Sequence, residues 1–211
     1  MAQSNQSEAD KSRLMLNLLD SVGRDGSQSQ RRLAVELGIA LGLVNLYLKR
    51  CIRKGFVKVS NAPAKRYAYF LTVEGFAEKS RLTLEYLTYS FSFFRQARLG
   101  FDRVFADIAS RGGTLIVLAG ISDLAEIATI CSIERKLSIV AIVDPQTKIA
   151  TFLGHPVMRS IKDVEGPFDA VIVTDLKTPY EVYSAAIEWC GKDMVYVPNL
   201  LLASIEQAAS A

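Results

Sequence analysis

The chain has 211 residues, half of them hydrophobic, and a formal net charge of +3. That apolar content is enough to form a folded core, which excludes an intrinsically disordered chain. Cys51, Cys131 and Cys190 lie far apart, without a CxxC pattern or matching histidines, so we expect neither a zinc site nor disulfides. We find no export signal and no apolar stretch of membrane-spanning length, and therefore expect a soluble cytoplasmic protein with no membrane partner.

The charge is unevenly distributed along the chain. Residues 1–80 contain 13 Lys and Arg against 7 Asp and Glu, a net charge of +6, whereas residues 81–211 contain 12 against 15, a net charge of −3. A basic N-terminal part suits a polyanionic partner.

The N-terminal residues show the pattern of short helices followed by a hairpin. Ser29 can cap the second helix, and Gly38 can adopt the positive φ that ends it. A turn rich in Asn and Pro separates two β-rich segments. This order predicts a winged helix-turn-helix domain over residues 1–72. Its predicted elements are helices at about 14–22, 30–37 and 41–54, and strands at 56–60 and 66–71.

Residues 73–111 form the second predicted region, a helical linker. Leu, Phe and Tyr recur there at helical spacing, which indicates one long helix or two helices broken near Gly100. So much apolar surface must be covered, either by a second copy of the chain or by the C-terminal domain of the same chain. The aromatic residues concerned are Tyr86, Tyr89, Phe91, Phe93, Phe94, Phe101 and Phe105.

Residues 112–211 alternate between β-branched segments and helical segments, which makes the fold class α/β overall. The β-branched segments lack polar alternation, as strands buried on both faces of a parallel sheet do. We therefore predict a Rossmann-like, doubly wound parallel sheet. The predicted strands are 114–118, 138–143, 170–173 and 194–197, and the predicted helices are 123–136, 160–164 and 179–191.

The third helix is the predicted DNA-reading element. Asn45, Lys49 and Arg53 recur every four residues on the face opposite its apolar residues, Val44, Tyr47, Leu48 and Cys51. Asparagine can read adenine, leucine can contact thymine methyl groups, and basic side chains can hold phosphates. The candidate DNA-binding residues are Ser29, Gln30, Arg31, Gly42, Leu43, Asn45, Leu46, Lys49, Arg50, Arg53, Lys65 and Arg66.

Residues 29–75 resemble the MarR-type winged-helix regulators of bacteria, especially those associated with exopolysaccharide gene clusters. The resemblance covers about a quarter of the chain, and departs at Ala40, where such helices often carry a capping Ser or Thr. It implies a homodimer that binds a palindromic site in double-stranded DNA. The matching segments are Ser29-Gln-Arg, Glu36-Leu-Gly38, Val44-Asn45, Lys54-Gly-Phe-Val-Lys-Val59 and Tyr67-Ala-Tyr-Phe-Leu-Thr72.

The loop after the first strand of the C-terminal half reads G-x-S-x-x-A from Gly120. Ser122 stands where a dinucleotide fingerprint has its second glycine, and Asp144 follows the next strand, where an acidic residue can bind a ribose. Alternatively, Gly120 only makes a turn and Asp144 caps the next loop. Ser122 favours a nucleotide or nucleotide sugar over an enclosed NAD. The candidate ligand residues are Gly120, Ile121, Ser122, Asp123, Asp144 and Thr174.

This half also resembles Rossmann-like domains of the CoA-binding and nucleotide-sugar acetyltransferase type, at Val117-Leu-Ala-Gly120 and Asp169-Ala-Val-Ile-Val-Thr174. The resemblance implies a nucleotide, nucleotide sugar or CoA-type ligand. His155, the only histidine, has no nucleophile at motif spacing, so we expect neither catalysis nor a metal site. We expect a transcriptional regulator with a small-molecule effector. The alternatives are a sugar-nucleotide-binding protein or enzyme whose winged helix is an interaction module, or an architectural protein with an empty sheet domain.

Overall fold

The computed structural model describes the backbone of residues 2–62 and 66–210, and the side chains of residues 11–60 and 67–210. The chain divides into an N-terminal unit, residues 1–91, and a C-terminal unit, residues 92–211. Among the described residues, no helix has the length and apolar character needed to cross a bilayer. The elements of the N-terminal unit are α1 (Ala2–Arg24), α2 (Gln30–Leu37), α3 (Leu41–Arg53), β1 (Val57–Ala62), β2 (Arg66–Leu71) and the first part of α4 (Val73–Ser110).

Helices α2 and α3 form a helix-turn-helix whose turn depends on Gly38. Its φ of 64° lies in the left-handed region, and its N–H bonds to the carbonyls that end α2. Ser29 caps α2, as predicted, by accepting a hydrogen bond from the Arg32 N–H at 3.3 Å. Ala40 precedes α3 without any side-chain cap.

The core of the N-terminal unit joins all of its elements. Tyr69 on β2 donates its backbone N–H to the Gly26 carbonyl at 2.8 Å, which ties the hairpin to the loop before α2. Strands β1 and β2 pair antiparallel from Val57↔Leu71 outward. The buried residues of this core include Leu18, Leu19, Leu33, Val44, Leu48, Cys51, Val57, Tyr69 and Leu82.

Helix α4 is continuous from Val73 to Ser110, so the alternative with a break near Gly100 is wrong. Of the seven aromatic residues that were predicted to need covering, four pack against the core of the C-terminal unit itself: Phe93 and Phe94 partly, Phe101 and Phe105 completely. For these four residues the structure favours the second alternative, packing on the C-terminal domain of the same chain. Tyr86, Tyr89 and Phe91 remain exposed.

The C-terminal unit is a six-stranded mixed sheet with helices on both faces. The strand order is β5-β6-β4-β3-β7-β8, and all neighbours are parallel except β5 and β6. Besides the second part of α4, its elements are β3 (Leu115–Ala119), α5 (Asp123–Glu134), β4 (Ser138–Val143), β5 (Thr151–Phe152), β6 (His155–Met158), β7 (Ala170–Val173), α6 (Pro179–Cys190), β8 (Val195–Tyr196) and α7 (Asn199–Ala209).

The structure corrects three details of the predicted sheet. The antiparallel β5–β6 hairpin was missed because its strands are short and contain no continuous apolar segment. The predicted helix at 160–164 is only a single 3-10 turn, Ile161–Asp163. The predicted strand at 194–197 shortens to Val195–Tyr196.

Side chains of β3 alternate between two cores, as expected of a strand buried on both faces. Ile116 and Leu118 pack in the core that includes residues of α4, α5 and α7. Val117 and Ala119 pack in the second core, with residues of α6 such as Ala186. The two cores place the carboxyl ends of β3, β4 and β7 beneath the α6 layer, where the cavity described below opens.

Replacement of Phe101 by alanine tests the packing of α4. The side chain is completely buried, so Phe101→Ala should lower the free energy of unfolding of the C-terminal unit by about 3–5 kcal/mol. Leu99, on the same helix, is 60% exposed, and Leu99→Ala should cost about 0.5 kcal/mol or less. Urea unfolding followed by Trp189 fluorescence measures both. Equal losses would contradict the assignment of Phe101 to this core.

A candidate nucleic-acid interface and a candidate ligand cavity

Helix α3 buries one face and exposes its cations on the other. Its apolar face is buried as predicted, with the Cys51 thiol inaccessible among the core side chains. Burial raises the pKa of Cys51 to about 11, so the thiol stays neutral at physiological pH. Lys49, Arg50 and Arg53 are all exposed. The helix therefore presents its positive charge to solvent.

The cations of α3 have no acidic partners among the residues that the structure describes. Within the described part of the chain, Lys49, Arg50 and Arg53 form no ion pair, whereas Arg24 and Arg81 of the same unit each pair with two carboxylates. The local sequence explains this difference, because residues 37–73 contain seven Lys and Arg and no Asp or Glu. An exposed basic surface without internal partners is available to external phosphates.

The other residues predicted to contact DNA lie around this surface. Gly42, Leu43, Leu46 and Arg31 are exposed, and Leu46 most strongly among the α3 leucines, at 61%. Lys65 lies outside the described residues, as does the side chain of Arg66. Their predicted contacts with DNA stay predictions.

Asn45 and Gln30 are half-buried beside a shallow hollow of about 210 Å³ between α3 and the hairpin. The Gln30 side chain donates to the Tyr69 hydroxyl at 2.7 Å, which holds it against β2. The Ser29 hydroxyl oxygen caps α2, so it already accepts a hydrogen bond within the protein.

Sequence reasoning missed Lys58 as a candidate phosphate contact. Lys58 is exposed on β1 beside the buried Val57. The two-residue alternation of a strand places these side chains on opposite faces, and that signal was present in the sequence.

The loop after β3 is held by its own side chains. Gly120 has a φ of 105°, and a Cβ atom there would lie 2.5 Å from the Cβ of Asp175, so only glycine fits. The Ser122 hydroxyl accepts hydrogen bonds from the Leu124 and Ala125 N–H groups at 3.0 and 3.4 Å, and donates to the Thr174 carbonyl at 2.5 Å. Ser122 is thus the cap of α5.

Asp144 and Thr174 add to the same network. One Asp144 carboxylate oxygen accepts the Ile121 N–H at 3.2 Å, and the other accepts the N–H groups of Gln146 and Thr147. This is the loop-capping role that the alternative interpretation of Asp144 predicts. The buried Thr174 hydroxyl donates to the Gly120 carbonyl at 2.6 Å.

A cavity of about 540 Å³ opens at the carboxyl ends of β3, β4, β6 and β7. Gly120 and Asp144 line it, and their predicted contacts with a ligand stay predictions. The remaining predicted ligand residues, Ile121, Ser122, Asp123 and Thr174, are not among its lining residues. The charged and aromatic lining residues that sequence reasoning did not select are Asp175, Arg159, Lys162, Glu181, Glu188 and Trp189.

Only some of the missed residues come from elements that periodicity describes poorly. Arg159 and Lys162 follow β6, which was not predicted as a strand. Glu181, Ala185 and Glu188 share one face of α6 at intervals of four and three residues, a signal that was available.

His155 is half-buried in β6 and is not among the residues that line the cavity. The described residues contain no group of three or more His, Cys, Asp or Glu able to hold a metal.

Removal of the Ser122 hydroxyl tests its role as a cap. Ser122→Ala frees the N–H groups at the start of α5 and should lower the free energy of unfolding of the C-terminal unit by about 1 kcal/mol, with a range of about 0.5–2. Ser138→Ala is the matched control, since Ser138 is exposed at the start of β4. Urea titrations of both variants decide the point, and a Ser122→Ala midpoint equal to that of the control would refute the cap.

The comparisons with known proteins agree with the geometry of the N-terminal unit. Residues 11–58 match the family model described as winged helix-turn-helix DNA-binding. No curated protein matches the chain. Among solved structures, the chain is similar to human N-acetylserotonin methyltransferase in complex with SAM, at 12% identity and a TM-score of 0.34, over 82% of this chain and 69% of that one. A TM-score this low does not establish a common fold. Residues 11–58 thus form a winged helix-turn-helix DNA-binding domain.

Proposed function

We propose that this chain is a homodimeric transcriptional regulator whose winged helix binds double-stranded DNA and whose C-terminal domain binds a small-molecule effector of nucleotide type. The observation that carries the proposal is the set of unpaired cations on α3, within a stretch free of acidic residues. In this proposal the domain is of MarR type and α3 enters the major groove. Asn45 and Leu46 read bases there, while Lys49, Arg50 and Arg53 hold phosphates.

A stripe of exposed apolar residues on the first part of α4 supports the dimer. The stripe repeats at intervals of three and four residues, the spacing by which two helices pack along a shared seam. Val73 is 83%, Phe76 62% and Leu84 66% exposed, which is unusual for such large apolar side chains. The stripe consists of Val73, Phe76, Leu84, Leu87 and Phe91, with the polar Ser80 at the position between Phe76 and Leu84.

The effector site of the proposal is the cavity at the strand ends. In open α/β sheets, ligands bind outside the carboxyl ends of the strands at the point where the strand order reverses. Here the order reverses between β3 and β7, and Gly120 and Asp175 line the cavity at that point. A Rossmann-like assignment of the sheet follows from the same reasoning. The effector regulates DNA binding if it binds one conformation of the chain better than another.

The salt dependence of DNA binding tests the role of the α3 cations. The logarithm of the association constant for a duplex should fall linearly with the logarithm of salt concentration, because bound phosphates release counterions. Lys49→Ala and Arg53→Ala should each weaken binding and reduce the magnitude of the slope by about 0.9. Fluorescence anisotropy between about 50 and 200 mM salt measures both quantities.

Lys148→Ala is the charge-matched control for this titration, because Lys148 is exposed in a loop of the C-terminal unit. Its slope should equal that of the unmodified protein. A flat slope for the unmodified protein would contradict DNA binding and favour an interaction module instead.

The stripe on α4 is tested by the oligomeric state. Leu84→Glu places a charge in the proposed seam and should raise the dimer dissociation constant at least about tenfold in sedimentation equilibrium. Tyr89→Glu is the control, since Tyr89 is equally exposed on α4 but lies off the stripe. A monomeric unmodified chain, or equal dissociation of the two variants, would overturn the assigned interface.

A further inference from the structure

We infer that the cavity beneath α6 takes a nucleoside, or a similarly polyhydroxylated molecule, that carries no phosphate chain. The inference rests on the proposed function, since it assumes that the C-terminal unit binds an effector, and it replaces the nucleotide-type effector of that proposal with a ligand that lacks phosphate. Three observations support it: most of the amides that could hold phosphate already donate within the chain, the cavity lies on the other face of the sheet from α5, and four of its six charged lining residues are acidic.

Four of the six backbone N–H groups from Gly120 to Ala125 already donate within the chain. Phosphate sites at helix N-termini use free backbone N–H groups. Here the Ile121 N–H donates to the Asp144 carboxylate, the Leu124 and Ala125 N–H groups donate to Ser122, and the Gly120 N–H donates to the Val143 carbonyl at 2.8 Å. A diphosphate bound there would have to displace these bonds and approach a carboxylate.

The cavity does not belong to the α5 face of the sheet. Its apolar floor includes Ala119 and Val143, which pack in the same core as Ala186 of α6. Leu124 and Ile127 of α5 pack in the other core, and Ile121 packs against that core. A ligand in the cavity would therefore contact α6 and the segment 159–162 rather than the start of α5.

Carboxylates outnumber cations around the cavity. Four acidic residues line it, and only two basic ones, Arg159 and Lys162. Lys162 is already engaged, with its ammonium 4.8 Å from the centre of the Trp189 ring. A phosphate chain would add negative charge to a site with an excess of it, and the repulsion grows as water is excluded. The acidic residues are Asp144, Asp175, Glu181 and Glu188.

These carboxylates instead suit a ligand rich in hydroxyl groups. Asp175 accepts the Lys177 and Thr178 N–H groups with one oxygen, at 2.7 and 2.6 Å, and its other oxygen has no partner in the described part of the chain. Asp144 and Glu181 also retain acceptor capacity, because a carboxylate can accept about four hydrogen bonds. Neighbouring hydroxyl groups of a ribose are donors of the required kind, and Trp189 offers an aromatic surface for a base.

Trp189 is the only tryptophan in the chain, so its fluorescence reports directly on the cavity. We would titrate the full chain with adenosine and uridine, and with ADP and UDP, at fixed ionic strength, and repeat each titration by calorimetry. At least one nucleoside should change Trp189 emission saturably and bind at least about tenfold more tightly than its diphosphate.

Two Glu→Gln variants, one inside the cavity and one outside it, test whether the carboxylates of the cavity repel a phosphate chain. Glu181→Gln removes a negative charge from the cavity and should strengthen diphosphate binding. The ratio of nucleoside affinity to diphosphate affinity should therefore fall at least about threefold. Glu126→Gln is the matched control, because Glu126 is exposed on α5 and does not line the cavity. This control should leave both affinities unchanged.

Two outcomes would overturn the inference, and they differ in what they leave standing. Equal or tighter binding of the diphosphates would refute the phosphate-free ligand but support a nucleotide effector. Absence of binding by all four compounds in both measurements would refute this inference together with the effector part of the proposed function. Neither outcome touches the DNA-binding part, which the salt titration tests separately.

Discussion

Burial of the apolar face of α3 determines where the positive charge of the N-terminal unit lies. Val44, Leu48 and Cys51 lose almost all contact with solvent, and the 3.6-residue period of the helix then forces Lys49 and Arg53 outward. The energy that holds the helix in place comes from these apolar contacts and not from its charges. The basic surface can therefore remain without internal partners, as a surface that binds phosphates requires.

Helix α4 contributes to the cores of both units, through Leu82 in the first and through Phe101 and Phe105 in the second. A substitution that loosens one end of this helix therefore acts on an element that the other unit also uses. In the proposed function, α4 is the element through which an effector bound in the cavity would influence DNA affinity. This influence requires no contact between the effector and DNA, only two conformations that bind the effector unequally.

The sequence predicted elements well wherever apolar periodicity was strong, and predicted the cavity only in part. Sequence patterns predicted the two faces of α3, the Ser29 cap and the turn at Gly38, because each of these features depends on residues close in sequence. The hairpin β5–β6 could not be predicted, since strands of two and four residues are too short to show a period in hydrophobicity. Arg159 and Trp189 both line the cavity, but they are distant in sequence and only long-range packing brings them there. Ser122 was predicted as a ligand contact, although it caps its own helix.

Lysine footprinting would show whether DNA binds at the outward face of α3, as proposed. The full chain would be acetylated with and without a duplex selected from a random library, and each lysine quantified by mass spectrometry. Lys49 and Lys58 should be strongly protected by the duplex, with Lys148 and Lys177 modified equally in both samples. Protection confined to the C-terminal lysines, or an unprotected Lys49 in the complex, would contradict DNA binding at this face.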